Sequence, residues 1–338
     1  MLRNSFKKLM SAALIGVSVF ASATLFSACT TSHPKVEMKL SFNGNTYTLE
    51  YKLYRKIAPS TVQHFLELVE KGYYDGLCIH DYQADSALYT GAYTYDESVS
   101  DDSGLVEKDY FSTVSTWGLT QTVWDDEERT TPVNTVYGEF SDNGFQVTNG
   151  ALKQTYGSLT MYYTPKDTYN GVVMTQRADG EGYDWKPYKY NSATSMFYIS
   201  LSSSSTSNSN YCTFATLEDD STSVLDELKD DINQYIEEEY GEEDAEFTTE
   251  TTVLVDENDP YMSSAKISAT YDVPKTPIIV EPKKIKSYCP HISLNNESPP
   301  SPRERRPLNL SVFWLNPSLP LVYPLISTIF PSLTSAVK

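Results

Sequence analysis

The sequence predicts a mainly β domain that is completed by two helices and interrupted by one loop-rich insertion. Residues 36–54 alternate apolar and polar side chains on either side of Asn43-Gly44, which is the strongest short sequence signal for a β-hairpin. Further β-like runs follow from residue 156 onward. Within this body, apolar residues recur at helical spacing in two stretches, 58–72 and 221–246.

The residues before the hairpin predict export and membrane anchoring. Three basic residues precede an apolar run at 9–26, and "SAC" ends at Cys29. A basic start, an apolar run and small residues are the order of a secretory signal peptide. Because "FSAC" resembles a bacterial lipobox, we expect residues 1–28 to be removed, Cys29 to carry the lipid and residues 29–36 to form a tether. The alternative is a plain signal peptide followed by an incidental cysteine.

The segment "APSTVQHFLELVEKG", residues 58–72, predicts the first helix of the domain. Ser60 or Thr61 suits the N-cap, and Gly72 suits the C-terminal cap. The expected packing face consists of Val62, Phe65, Leu66 and Val69.

Strands, loops and one acidic helix are predicted for the rest of the body. Residues 93–135 are polar, with runs of acidic residues, so we expect a loop-rich insertion with a short helix and solvated charges. Residues 221–246 predict an acidic helix, and 275–286 predict the closing strand. The strand-like runs between them are 156–164, 192–201 and 210–217. The apolar stripe of the acidic helix consists of Val224, Leu225, Leu228, Ile232 and Ile236.

The C-terminal segment 287–338 differs from the body in composition. It holds half of the 18 prolines, and four of them interrupt its apolar stretch. Proline at this frequency is incompatible with a membrane-spanning helix. We therefore expect a disordered tail or one that is not native, such as an out-of-frame extension.

Charge and cysteine content exclude several classes of function. The formal net charge of −19 argues against nucleic-acid binding and against docking of the folded body on an anionic membrane. The four cysteines contain no CxxC pair and the four histidines are scattered, so we expect neither a metal site nor a cofactor. We expect Cys78 and Cys212, both in apolar runs, to be buried.

Several segments, in order, resemble the cyclophilin-type peptidyl-prolyl cis-trans isomerases. "APSTVQHFLELVEKGYYDGLCIH" is similar to that family's AP-x-TV-x-NF, G-x-Y-x-G and F-H-R series, and "YGEFSDNG" resembles a bacterial variant of the fold. "YGSLTMYY" resembles the strand G-x-L-S-M-A, and "NSATSMFYI" resembles S-A-S-S-Q-F-F-I. "NYCTFATL" and "VLDEL" are similar to the next strand and helix. The resemblance covers residues 37–286 except for the insertion at 93–135.

The resemblance implies a closed antiparallel β-barrel capped by helices, with a peptide substrate on its outer face. It places His80 at the family's histidine and Tyr198 at a pocket phenylalanine, as candidate catalytic positions together with Asp81. The expected peptide-binding residues are Tyr89, Tyr162, Met196, Phe197, Tyr211 and Phe214. Four of these site residues, Tyr89, Phe197, Tyr198 and Phe214, are expected to form a shallow aromatic pocket.

Asp81 departs from the family pattern. The family has an arginine that donates a hydrogen bond at this position, whereas an ionised aspartate can only accept. Two other interpretations of the His80-Asp81 pair are a hydrolytic triad, which adjacent strand residues on opposite faces disfavour, and a purely structural histidine.

The sequence therefore predicts a monomeric isomerase of the cyclophilin type, weak in activity and anchored by lipid on the extracytoplasmic face of a bacterial membrane. Its partners would be extended or proline-containing segments of exported proteins. The alternatives are a non-catalytic peptide-binding module on the same scaffold and a structural surface lipoprotein.

Overall fold

The computed structural model describes residues 33–99, 103–145, 152–163, 171–177, 179–187, 192–205, 209, 211–241, 247–255 and 267–285. The chain divides into two units, 1–289 and 290–338, and every described residue belongs to the first. The expected signal peptide, Cys29 and the tail 287–338 lie outside the described residues. Among the residues described, no helix is both long enough and apolar enough to cross a membrane.

Most of the ordered elements are strands. The helices are α1 (Pro59–Glu70), α2 (Tyr110–Val114) and α3 (Asp219–Tyr240). The strands are β1 (Lys35–Phe42), β2 (Asn45–Leu53), β3 (Leu77–Cys78), β4 (Asp81–Gln83), β5 (Ala87–Thr90), β6 (Tyr93–Tyr95), β7 (Leu105–Glu107), β8 (Val136–Tyr137), β9 (Leu159–Met161), β10 (Val172–Gln176), β11 (Tyr183–Pro187), β12 (Ser192–Ala193), β13 (Phe197–Ser200), β14 (Thr213–Leu217), β15 (Thr248–Val255), β16 (Ile267–Pro274) and β17 (Ile279–Ile285).

The predicted N-terminal hairpin is confirmed. β1 and β2 pair antiparallel from Lys35↔Lys52 to Phe42↔Asn45. The turn residues Asn43 and Gly44 both have positive φ, 45° and 82°, which asparagine and glycine tolerate best.

The antiparallel sheet curls into a half-barrel, consistent with the predicted fold, and we call it the barrel. Its eleven strands run in the order β4-β5-β13-β9-β14-β2-β1-β17-β3-β6-β7. β3 and β4 are consecutive parts of one chain segment: β3 pairs with β17, and β4 pairs with β5. This segment, residues 77–83, therefore pairs with β17 and with β5 and draws the two sides of the curled sheet together. At the β5–β6 corner, Gly91 has φ +106°, and a Cβ there would lie 2.4 Å from the carbonyl oxygen of Ser195.

The first helix packs into the barrel through its predicted apolar face, but its predicted N-cap is wrong. Neither Ser60 nor Thr61 is the N-cap; that position is Ala58, which makes no side-chain cap. Instead the Glu139 carboxylate accepts the backbone N–H groups of Ser60 at 3.0 Å and Thr61 at 2.8 Å. A carboxylate from elsewhere in the chain thus satisfies the free donors of the helix start. Gly72 follows the helix with φ +71°, as expected for a C-terminal cap.

The acidic helix and the closing strand are also confirmed. α3 buries Leu225, Leu228, Ile232 and Ile236, while Val224 is only partly buried. β17 pairs with β1 along Lys35↔Ile285 to Ser41↔Ile279.

Two hairpins lie outside the barrel ladder. β10 pairs with β11, and β15 pairs with β16 from Thr248↔Pro274 to Val255↔Ile267. Neither hairpin is among the strands that the sequence predicts. The insertion at 93–135 has few ordered elements, namely β6, β7 and the five-residue α2.

Candidate functional site

His80 lies between β3 and β4, in the segment 77–83 that pairs with both β17 and β5. Its backbone N–H donates to the Tyr89 carbonyl at 3.0 Å, which fixes the residue between two pairing partners. The imidazole is completely buried, with ring centroids of Tyr93 and Tyr271 at 5.1 and 4.8 Å. Neither ring nitrogen has a hydrogen-bond partner among the described residues. Burial lowers the pKa of His80 to about 3, so the ring is neutral at ordinary pH.

Asp81 is half-buried, and its carboxylate accepts one hydrogen bond from β4 and one from β16. Gln83 Nε2 donates to Asp81 Oδ1 at 2.8 Å, and the backbone N–H of Asp272 donates to the same oxygen at 3.1 Å. Burial raises the pKa of the Asp81 carboxyl, while the hydrogen bond from Gln83 opposes that shift. Because His80 has no hydrogen bond to any described carboxylate, the hydrolytic-triad interpretation loses its required His–Asp contact.

Four tyrosines form a continuous patch beside this pair, and we call Tyr89, Tyr162, Tyr198 and Tyr211 the tyrosine face. Tyr89 and Tyr198 are direct cross-strand partners on β5 and β13, with ring centroids 5.0 Å apart. The ring of Tyr162 lies 5.8 Å from Tyr89, and that of Tyr211 lies 6.3 Å from Tyr198. Tyr198 is buried at the centre, and the other three are partly exposed.

The tyrosine face is held in place by one amide side chain and is uncharged. Gln154 Nε2 donates a hydrogen bond to Tyr198 Oη. Burial raises the pKa of Tyr89 to about 12 and moves that of Tyr198 in the same direction, so both phenols stay protonated at neutral pH. Aromatic rings with hydroxyl donors offer apolar contact area together with hydrogen bonds, which suits a peptide ligand.

Phe197 and Phe214 do not join this face, which corrects the expected four-residue pocket. Both are fully buried in the barrel core, where their rings lie 5.4 and 5.0 Å from Phe65. The reason is the alternation of side chains along a strand, which turns Phe197 inward when its neighbour Tyr198 faces outward. The expected proximity of Tyr89 to Tyr198 does hold.

Met196 belongs to a second hydrophobic cluster, separate from the barrel core. We call this group the second cluster: Cys78, Ala92, Tyr93, Leu105, Met196, Ala269, Tyr271 and Val273. The last three of these come from β16, so the β15–β16 hairpin lies over the position of Met196. Tyr162 is partly buried and packs against the same cluster, which places the hairpin beside the tyrosine face.

Both described cysteines are free and buried. Burial raises the pKa of both Cys78 and Cys212 to about 12, as expected for small buried side chains. Within the described ranges, no group of three or more His, Cys, Asp or Glu side chains could hold a metal ion.

Sequence reasoning missed three residues that shape the site. Tyr271 and Asp272 cover His80 and Asp81, and Gln154 anchors Tyr198. The β-branched run of β15 and the alternating run of β16 were usable strand signals, but no local pattern indicates the surface on which a hairpin docks.

Comparison with known proteins places the chain in a family. The family model described as cyclophilin type peptidyl-prolyl cis-trans isomerase/CLD matches residues 36–254. No curated protein matches the chain. Among solved structures, a Cryptosporidium parvum cyclophilin type peptidyl-prolyl cis-trans isomerase is similar, with 14% identity and a TM-score of 0.35 over 76% of this chain and 99% of that one. A structure of the same protein in the presence of the dipeptide Ala-Pro has 14% identity and a TM-score of 0.34, covering 74% and 99%.

Proposed function

On the premise that the chain belongs to the cyclophilin-type peptidyl-prolyl cis-trans isomerase family, we propose that it is a weak isomerase of proline-containing segments in exported proteins. Rotation about an X-Pro bond faces a barrier of about 20 kcal/mol, which arises from amide resonance. No bond is broken, so the site needs neither a nucleophile nor a metal. It needs an apolar surface for the proline and a donor for the amide nitrogen of the twisted bond.

Asp81 is the observation that supports weak activity. It stands where the family resemblance expects a donating arginine, and its carboxylate is an acceptor that Gln83 and Asp272 already occupy. An acceptor at this point repels the lone pair that develops on the prolyl nitrogen. Loss of one such donor typically costs about 2.7–4 kcal/mol, or at least about a hundredfold in rate.

A second function, peptide binding without catalysis, is supported by the tyrosine face. Three of its rings are partly exposed, and the face stays accessible where His80 is covered. Extended peptides bind to such faces through ring contacts and phenol hydrogen bonds. Binding of an Ala-Pro peptide with no measurable exchange of its isomers would favour this second function.

The deciding experiment reverses the charge at Asp81 in the purified full chain. We expect Asp81→Arg to raise the isomerisation rate of an Ala-Pro peptide, measured by NMR exchange, by about tenfold, because part of the missing donor contribution returns. Asp81→Ala should change little. Glu227→Arg, an exposed substitution on α3 with the same change in charge, is the matched control. Robust wild-type activity that survives Asp81→Ala would show that another donor acts here.

Anchoring at the extracytoplasmic side of the membrane is a separate part of the proposal, supported by the lipobox-like "FSAC". Cys29→Ser should move the protein from the membrane fraction to the soluble fraction and remove the lipid mass from its N-terminus. Unchanged fractionation and mass would contradict the anchor without affecting the isomerase proposal.

A further inference from the structure

The β15–β16 hairpin is attached to the barrel in an unusual way, and we call it the strap. Its two strands pair only with each other among the described strands, and neither joins the barrel ladder. Its base is fixed, since the N–H of Lys275 donates to the Phe247 carbonyl at 2.9 Å and Phe247 is fully buried in the barrel core. The body of the strap therefore rests on the barrel through side chains.

The strap covers the two residues on which the predicted catalytic site centres. The Tyr271 ring closes over His80, and the backbone N–H of Asp272 donates to the Asp81 carboxylate. A second polar contact runs from Gln83 Nε2 to Asp272 Oδ2 at 3.0 Å. Met196, an expected peptide contact, is only 3% exposed in the same cluster.

The contacts that hold the strap are compatible with its opening. The polar contacts between Asp272 and the barrel involve half-buried groups that water could satisfy equally well. Beneath the strap, closing leaves both ring nitrogens of His80 without partners, and burying unpaired polar atoms costs free energy. The apolar contacts of Tyr271, Ala269 and Val273 offset that cost. The free energy of closure is thus the difference between these apolar contacts and the cost of burying the His80 ring nitrogens.

We propose that the strap is an autoinhibitory lid on the peptide-binding surface. When it is closed, a peptide reaches only the tyrosine face; when it opens, His80 and Met196 extend that face into a longer groove. The proposal rests on the proposed function, because it assumes that the tyrosine face binds peptide. The ligand class is an extended, proline-containing peptide long enough to pass from Tyr211 to His80.

The test loosens the strap without changing any residue of the tyrosine face. Tyr271→Ala removes the ring that covers His80, whereas Thr270→Ala changes an exposed residue on the same strand and serves as the control. Hydrogen exchange of the Asp272 amide in β16, whose N–H donates to Asp81 when the strap is closed, reports opening. Fluorescence anisotropy of a labelled, extended peptide that contains Ala-Pro reports binding by the full chain. If the open state is populated at about 10% or less, full opening should tighten the apparent affinity about tenfold or more.

A second variant covers the possibility that Tyr271→Ala perturbs the fold. It replaces residues 248–274 by a short Gly-Ser turn between Phe247 and Lys275, whose backbones are already hydrogen-bonded. Faster β16 exchange in Tyr271→Ala together with tighter peptide binding in both variants would support the lid. Faster exchange with unchanged or weaker binding would overturn the lid and leave the proposed function intact. If wild type and both variants all fail to bind the peptide, the lid and the peptide-binding function fall together.

Discussion

His64 and His80 are both fully buried, but their imidazole rings differ in hydrogen bonding. His64, on α1, places Nε2 2.7 Å from the Thr194 carbonyl oxygen and 3.4 Å from Tyr110 Oη. His80 packs against Tyr93 and Tyr271 of the second cluster and has no hydrogen bond from its ring among the described residues. Native interiors rarely leave such groups unpaired. The hydrogen bond of His64 therefore helps to stabilise the barrel core, whereas the contact between His80 and the strap contributes no hydrogen bond from the imidazole.

The largest expected effect compares two adjacent residues, Phe197 in the barrel core and Met196 under the strap. Phe197→Ala should lower the free energy of unfolding by about 3–5 kcal/mol, because a cavity opens beside Phe65. Met196→Ala should cost about 2 kcal/mol, the low end for this substitution, because the strap can settle onto the smaller side chain. Urea unfolding gives both values. Equal losses would mean that the second cluster is as tightly packed as the core.

Most of the barrel could be predicted from the sequence, but the contact between the strap and His80 could not. The β1–β2 hairpin, α1 and α3 were predictable because their turn residues and apolar spacing are local signals. The position of His80 was predictable from its motif. Its burial was not, since Tyr271 reaches it from the far end of the domain. For the same reason the cap of α1 was missed: the carboxylate of Glu139 stands where local reasoning expected Ser60 or Thr61.

The two histidines themselves provide the next test, at pH 8, where both are neutral. His64→Phe should destabilise the protein by about 2 kcal/mol, because the Thr194 carbonyl is left buried without its partner. His80→Phe replaces an unpaired polar ring by an apolar one of similar shape, so stability should stay the same or rise. Thermal unfolding of the two variants side by side measures the difference. A clear loss in His80→Phe would show that the imidazole has a partner and would remove the contrast.

The smallest expected effect is a response of the strap to acid. The pKa of His80 is about 3 when it is covered and should return to its ordinary value near 6.5 when the strap opens. A lowered pKa in the closed state means that the open state binds the extra proton, so closure weakens as the pH falls below about 6.5. Between pH 8 and pH 5.5 the open population should therefore rise, by about tenfold if the open state restores the ordinary pKa.

Other titrating groups near the strap can be separated from His80. Asp81 and Asp272 face the strap contact beside it, and Tyr93 and Tyr271 cover the ring. The raised pKa of Asp81 acts in the opposite direction, because its contribution to stability is present at low pH and is lost as the pH rises through its pKa. The burial-lowered pKa of His64, about 4, weakens the whole barrel in acid instead. Between pH 8 and pH 5.5, protection against hydrogen exchange, taken relative to the intrinsic exchange rate at each pH, should therefore fall more at the Asp272 amide of β16 than in β13. His80→Phe should abolish that difference. If β16 and β13 lose protection to the same extent, the strap does not open independently of the barrel.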